Sequence, residues 1–345
     1  MAARDSLLID RRLLMAGLSA VAGCKPAAPA RAVGPARLDT VRLTTAFPSL
    51  ARRARPGGLG LGVGLAPSGP AWVSDAKARF PLQSVFKVFL AGAALAQVDA
   101  GSLKLAEPIV LTDADRTPLY SAIGPAWKGG DLTLPLVDLI ALAIQRSDNI
   151  AADALMKRIG GPAKVTAWLQ SKDVEGVRID RYEREIQPQS VGLGTLQPGM
   201  TDKAWQAARE AVPPAQREAA ITAYLADPRD TATLAGSLDY LTRLANGQLL
   251  SPASTRLLLR LMTDAATGSH RLKAGLPPGA ILAHKTGTSA TVLGLTPATN
   301  DIGIVTLPSG RRFVIAAYLA GSTATETARE DLIADAARLA TACVS

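Results

Sequence analysis

Apolar positions along this chain change period several times, and the changes outline its elements. Leu59–Ala66 alternates Gly with Leu or Val and reads as a strand, and Ala71–Ser74 is a second strand after the turn Pro67-Ser68-Gly69-Pro70. The stretch from Ser84 to Val98 is almost uniformly apolar, rich in Ala and Leu, and closed by Gly101, the pattern of a buried helix. Helical spacing returns over 134–146, 148–159, 162–171, 231–246 and 252–265, with Gly160-Gly161 and Gly247 as stops. Strands reappear at Ala280–Lys285, Ile302–Leu307 and Arg312–Ala320, and a last helix is expected from Thr325 to Thr341. A loosely amphipathic helix is expected over 38–55, before Pro56-Gly57-Gly58. Strands at both ends with helices between them predict an αβ lobe, built from 38–80 and 266–345, closed around an all-α lobe over 81–265.

The first 37 residues follow another logic. Asp10-Arg11-Arg12-Leu13-Leu14 precedes the small, apolar run Met15–Gly23, the layout of an export signal, and the paired arginines resemble a twin-arginine signal. Val21-Ala22-Gly23-Cys24 resembles a lipobox, in which Cys24 is lipidated and tethers the mature chain to a membrane; cleavage at Pro29-Ala30-Arg31-Ala32 is the alternative. The apolar run is too short for an ordinary span, and 25–37 reads as an Ala/Pro linker. A periplasmic location follows from either processing. Cys343 then has no expected partner, a Cys24–Cys343 bridge being the rival.

Composition narrows the function classes. With 345 residues, 48% hydrophobic and 19% charged, the chain holds ample material for a core. Net charge is +9, of which six bases and two acids fall in the first 37 residues, leaving +5 for the body. The charges are scattered and only 4% of residues are aromatic, so a nucleic-acid partner is not expected, whereas anionic small molecules are. Two cysteines and two histidines, His270 and His284, form no zinc-ligand spacing, and no Gly-x-Ser-x-Gly elbow is present. No metal or cofactor is expected.

Three short motifs carry the chemistry. In Ser84-Val85-Phe86-Lys87 the lysine lies one helical turn from the hydroxyl, and the Ser84 N–H sits where a helix N-terminus favours negative charge. Desolvation lowers a lysine's proton affinity, which fits such a group to act as a base. Ser147-Asp148-Asn149, between two predicted helices, offers a hydroxyl to relay a proton and a carboxamide to hold a lysine and a substrate amide; a capping turn is its structural alternative. Lys285-Thr286-Gly287-Thr288 ends a predicted strand, where Lys285 can bind a carboxylate, Gly287 permits close approach, and Thr288 N–H can join that of Ser84 as an oxyanion donor.

Each motif alone is weak. Together, in this order and with gaps of 63 and 138 residues, they resemble the class A serine β-lactamases, and the flanks Phe80-Pro81-Leu82-Gln83 and Ala283-His284 resemble the branch that includes the PER and VEB enzymes. The resemblance spans roughly 38–342. It implies a two-lobed serine β-lactamase/penicillin-binding fold, α/β plus all-α, with an antiparallel sheet flanked by helices and the site between lobes. It also implies a monomer that opens small-molecule β-lactams through an acyl-enzyme on Ser84, without a cofactor.

The same resemblance assigns further residues. Asp180-Arg181-Tyr182-Glu183-Arg184-Glu185-Ile186-Gln187 resembles the family's Ω-loop, which makes Glu183 the deacylation base and Arg181 an anchor; Glu185 is the rival carboxylate. Gln187 stands where the family usually has Asn. Asp230 is expected to pair with Arg181, but Glu183 and Asp230 are 47 residues apart, longer than that loop usually is. The excess, 188–226, reads as an inserted helical hairpin, Thr201–Ala211 and Pro214–Leu225, over one rim of the site. No arginine follows Thr288 on the strand, and Arg271 fills the alternative family position for holding the substrate carboxylate. Tyr120 resembles the aromatic gatekeeper of the cleft, with core packing as its alternative; both histidines read as structural. The rival activities are a penicillin-binding D-Ala-D-Ala carboxypeptidase or transpeptidase, which shares the motifs but lacks a working deacylation base, and a non-catalytic β-lactam sensor.

Overall fold

A computed structural model describes residues 36–345. The export signal, the lipobox cysteine Cys24 and most of the linker lie outside the described residues.

The strands are β1 (Gly58–Ala66), β2 (Ala71–Val73), β3 (Arg79–Pro81), β4 (Pro108–Leu111), β5 (Leu132–Pro135), β6 (Thr231–Thr233), β7 (Ile281–Thr288), β8 (Thr296–Thr306) and β9 (Arg312–Ser322). The helices are α1 (Thr40–Arg53), α2 (Phe86–Asp99), α3 (Leu136–Gln145), α4 (Asn149–Arg158), α5 (Pro162–Ser171), α6 (Glu183–Gln189), α7 (Asp202–Ala211), α8 (Pro214–Ala226), α9 (Leu234–Ala245), α10 (Pro252–Thr263), α11 (Leu272–Gly275) and α12 (Glu326–Ala342).

Five strands form one antiparallel sheet in the order β2-β1-β9-β8-β7. Strand periodicity divides its side chains between two cores. Phe313, Ile315, Ala317 and Leu319 face a core shared with Leu43 and Leu50 of α1 and Leu332, Ile333 and Ala336 of α12. Val314, Ala316 and Tyr318 point the other way, into a core shared with α2, α9 and α10. The glycines of β1 serve this second face: a Cβ on Gly60 would lie 2.3 Å from the Phe80 ring, and one on Gly62 3.1 Å from Leu238. Their absence lets β3 and α9 lie close against the sheet.

The helical lobe forms around α2, in which every residue from Phe86 to Leu95 is buried. A helix apolar on all sides is stable only when surrounded, and α3, α4, α5, α9 and α10 surround it. The result is a two-lobed mixed fold in which β7 faces the start of α2.

Several boundaries differ from the sequence-based expectations, each for a physical reason. The helix expected from Ser84 starts at Phe86, because Gln83 adopts φ +46° and Gln83–Val85 form a 3₁₀ turn. The helix expected from 231 starts at Leu234, since Thr231–Thr233 pair with β3 and the Thr233 hydroxyl caps α9. The strand expected at Ile302 starts at Thr296, where polar but buried Thr299, Asn300 and Asp301 hide it from a hydrophobic count. Strand β7 extends three residues past the expected Lys285, through Thr288, so the whole Lys285 motif lies in its final residues.

Candidate active site

Ser84 sits on the 3₁₀ turn that joins β3 to α2, and two neighbours pin that turn. The Asn300 amide donates to the carbonyls of Pro81 (2.8 Å) and Leu82 (3.1 Å). On the adjacent strand, Gly287 packs so tightly that a Cβ there would stand 2.5 Å from the Leu82 oxygen and 3.1 Å from the Val85 nitrogen. The end of β7 is thereby held against the nucleophile turn.

Lys87 lies beneath Ser84, fully buried. Its Nζ donates to Ser84 Oγ at 2.9 Å and to the Ser147 carbonyl at 2.8 Å, and it also bonds Asn149 Oδ1. Glu183 Oε1 stands 3.1 Å from the same nitrogen. A lysine in a protein interior requires such partners, and this one has four oxygens. Ser147, at φ +56°, presents its carbonyl to Lys87 and its Oγ to Lys285 Nζ at 2.9 Å. Burial, and then the charge of Lys87, holds Lys285 well below the ordinary lysine range. Asp148 caps α4 and also accepts from Ser121 Oγ and the N–H groups of Ala122 and Ile123, fixing the loop that carries Tyr120.

Glu183 opens α6, with 1% of the residue exposed. Its backbone N–H and that of Arg184 donate to the carboxylate of Asp153, at 2.7 and 3.1 Å. Burial first, and the Glu183 charge second, push the Asp153 carboxyl up to about 7. Gln187, one helical turn on, donates from Nε2 to Glu183 Oε2 at 2.8 Å. Glu185 turns back to accept from the Tyr182 N–H at 2.8 Å, in a capping box, so of the two rival carboxylates only Glu183 meets Lys87. Arg181 bonds Asp230 (2.6 Å), Asp227 (3.2 Å) and Gln189 (2.9 Å), which closes the loop on itself.

These groups open on a cavity of about 560 Å³, whose floor includes Ser84, Ser147, Asn149, Thr286 and Thr288. Gln187 reaches its wall, and Tyr120, 64% exposed, stands at its rim rather than in the core. Arg271 is buried behind the end of β7, where Nη2 donates to Thr288 Oγ1 (2.8 Å), Nη1 to the Asn300 carbonyl (3.0 Å) and Nε to Glu330 (3.1 Å). His284 bonds Asp301 at 2.8 Å, and His270 is exposed; neither belongs to the polar cluster around Ser84.

Some groups in and behind the site escaped the sequence reading. Asp153 carried a usable signal, because it lies four residues after Asn149 and so shares its helix face. Gln83, Thr267 and Tyr224 carried none. From α7, Trp205, Gln206 and Arg209 line the cavity; the hairpin was legible, but which of its side chains face inward was not.

Comparisons with known proteins agree with this geometry. The profile described as the Beta-lactamase enzyme family matches residues 54–344. The chain is 30% identical over 263 residues to the extended-spectrum β-lactamase PER-1 of Pseudomonas aeruginosa, covering 76% of this chain and 74% of that one. β-Lactamase VEB-1 of the same organism is 31% identical over 264 residues, covering 76% and 77%. Among solved structures, a β-lactamase from Chitinophaga pinensis superposes with TM-score 0.70 at 31% identity, covering 86% of this chain and 96% of that one. A mutant class A β-lactamase of the last common ancestor of Gram-negative bacteria gives 0.69 at 32%, covering 87% and 97%.

Proposed function

The chain belongs to the β-lactamase enzyme family as a class A serine enzyme that hydrolyses β-lactams, and from that premise we propose how its residues divide the reaction. Ser84 Oγ attacks the lactam carbonyl, its proton passing to Lys87, or to Glu183 through a water. The N–H groups of Ser84 and Thr288 receive the oxyanion. Ser147, bonded to Lys285, passes a proton to the departing nitrogen, and the ring opens to an ester on Ser84. Glu183 then takes a proton from a water, which attacks the ester; Ser84 leaves reprotonated, and the ring-opened acid is released. Asn149 holds the substrate's side-chain amide. Lys285, Thr286 and Thr288 receive its carboxylate, with Gly287 allowing the approach and Arg271 supplying positive charge from behind the strand. Tyr120 covers the open side.

The observation that carries this reading is Glu183, buried and 3.1 Å from the lysine that touches the nucleophile. A penicillin-binding enzyme or a sensor has no use for a second base there. Hydrolysis of a chromogenic cephalosporin by wild type, Ser84→Ala and Glu183→Gln tests it. Turnover by wild type, none by Ser84→Ala and a stalled acyl-enzyme in Glu183→Gln are expected. A wild type that stops after one equivalent would sink the reading in favour of the penicillin-binding or sensor alternative.

The same proposal places the mature protein in the periplasm as a monomer. The paired arginines and the apolar run support export, and Cys24 supports a lipid tether. Residues 188–226 are proposed as an insertion over the rim.

A further inference from the structure

Four side chains link α8 to the proposed base. Tyr224, 7% exposed near the end of α8, accepts at its hydroxyl a hydrogen bond from Gln83 Nε2 at 2.6 Å. Gln83 Oε1 accepts from Gln187 Nε2 at 2.9 Å, and that same nitrogen donates to Glu183 Oε2 at 2.8 Å. Gln83 is 3% exposed and held at φ +46°, a backbone region that only surrounding contacts make tolerable for a side chain of this kind.

The polarity of this chain is dictated from one end. A carboxylate only accepts, so Gln187 must turn its nitrogen to Glu183. The second hydrogen of that nitrogen then goes to Gln83, which must present its oxygen. Gln83 is left with a donor to place, and Tyr224 is the group that receives it. The consequence falls on Gln187, which lines the cavity: with its nitrogen committed twice, its oxygen is the atom free to accept from a water lying between Glu183 and the ester. Without Tyr224, Gln83 keeps a buried unsatisfied donor, and the flipped amide pair becomes competitive. In that flipped state Gln187 offers its oxygen to Gln83 and no longer serves Glu183.

We infer that Tyr224 is a positioning residue for deacylation, acting through Gln83 to hold the Gln187 amide that organises Glu183 and its water. This rests on the reading of Glu183 as the deacylation base. The α7–α8 hairpin thereby acts on the second half-reaction as well as on the rim.

Stopped-flow and steady-state kinetics with a chromogenic cephalosporin test this in Tyr224→Phe, Gln83→Ala, the double variant and Glu183→Gln, each checked by circular dichroism to be folded at the assay temperature. Tyr224→Phe removes one oxygen and keeps the ring packed. Its kcat should fall roughly tenfold, the scale of one buried hydrogen bond, with KM falling in parallel, kcat/KM unchanged and a burst of one equivalent appearing. Gln83→Ala should show the same split, and the double variant should be no slower than the worse single one. A structural loosening would instead lower kcat/KM. Wild-type kcat in Tyr224→Phe, a loss confined to kcat/KM, or additive effects in the double variant would overturn the inference. If Glu183→Gln itself turns over normally, the reading of the base has failed; if it stalls while Tyr224→Phe does not, only the role of Tyr224 has.

Discussion

The ion pair that closes the Glu183 loop allows a quantitative prediction. Arg181 and Asp230 are 6% and 3% exposed, and Nε meets Oδ2 at 2.6 Å. Replacing Arg181 with Met keeps most of the packing and strands the carboxylate. Orphaning one member of a buried pair costs about 3–5 kcal/mol. Asp230 keeps two donors, the N–H groups of Asp180 (2.7 Å) and Arg181 (3.1 Å), so the lower end, about 3 kcal/mol, is expected. Over roughly 300 ordered residues that is a drop of about 5 °C in Tm. The cost should also depend on pH in a definite direction. Burial already raises the Asp230 carboxyl despite its arginine partner, and removing the guanidinium raises it further. The folded variant then holds a proton that the unfolded chain has released, so its stability falls as pH rises from the ordinary carboxyl range toward the folded value. The deficit against wild type is therefore smaller at pH 5 than at pH 8, with a slope of up to about 1.4 kcal/mol per unit. Urea unfolding of both proteins at the two pH values measures it. A loss below about 1 kcal/mol, or one that grows on acidification, would refute the reasoning.

Three further outcomes follow from the site. Gly287→Ala places a methyl 2.5 Å from the Leu82 oxygen, so β7 must retreat from Ser84; kcat/KM should drop on the order of 100-fold, the scale of a lost oxyanion donor, in a protein that still folds by circular dichroism. Asp153, whose carboxyl burial pushes up to about 7, should make wild type lose stability as pH rises from the ordinary carboxyl range toward that value, because the folded state keeps a proton that the unfolded chain has released; Asp153→Asn should flatten the unfolding midpoint across that interval. Arg209 stacks on Trp205 (5.6 Å) at the cavity wall, with no carboxylate within 4 Å among the described residues; Arg209→Ala should slow a penicillin whose side chain carries a carboxylate several-fold, spare benzylpenicillin, and lose the distinction in 1 M salt, as competition kinetics would register.

Much of the assembly of the site was legible because it resides in residue types at fixed order: the structure brings Ser84, Lys87, Ser147, Asn149 and Lys285 into one hydrogen-bonded cluster. The long helices were equally visible, since hydrophobic period and glycine stops mark them. What stayed hidden falls into two kinds. Short strands such as β3 and β6 have three residues each, too few for a period, and exist through pairing across 152 positions of chain. Buried polar residues defeat a pattern that equates polar with outside. Asn300 lies in a strand because its amide pins the Ser84 turn, and Gln83 and Tyr224 answer each other across 141 positions. Which of Glu183 and Glu185 approaches Lys87 depends on which one the α6 capping box uses, a detail of a single turn that the sequence does not display.

The strand order has a consequence for how the enzyme comes into being. The first strand formed during synthesis, β1, has its main partner in the last, Gly58 pairing with Ala320 and Ala66 with Arg312. Until β9 arrives, β1 can pair only with the three residues of β2, and its other edge is bare and apolar. Strand β8, which carries the Asn300 that pins the Ser84 turn, likewise has β9 as one of its two partners. A chain that stops before β9 therefore leaves edges of both β1 and β8 open, and such edges invite pairing with another copy.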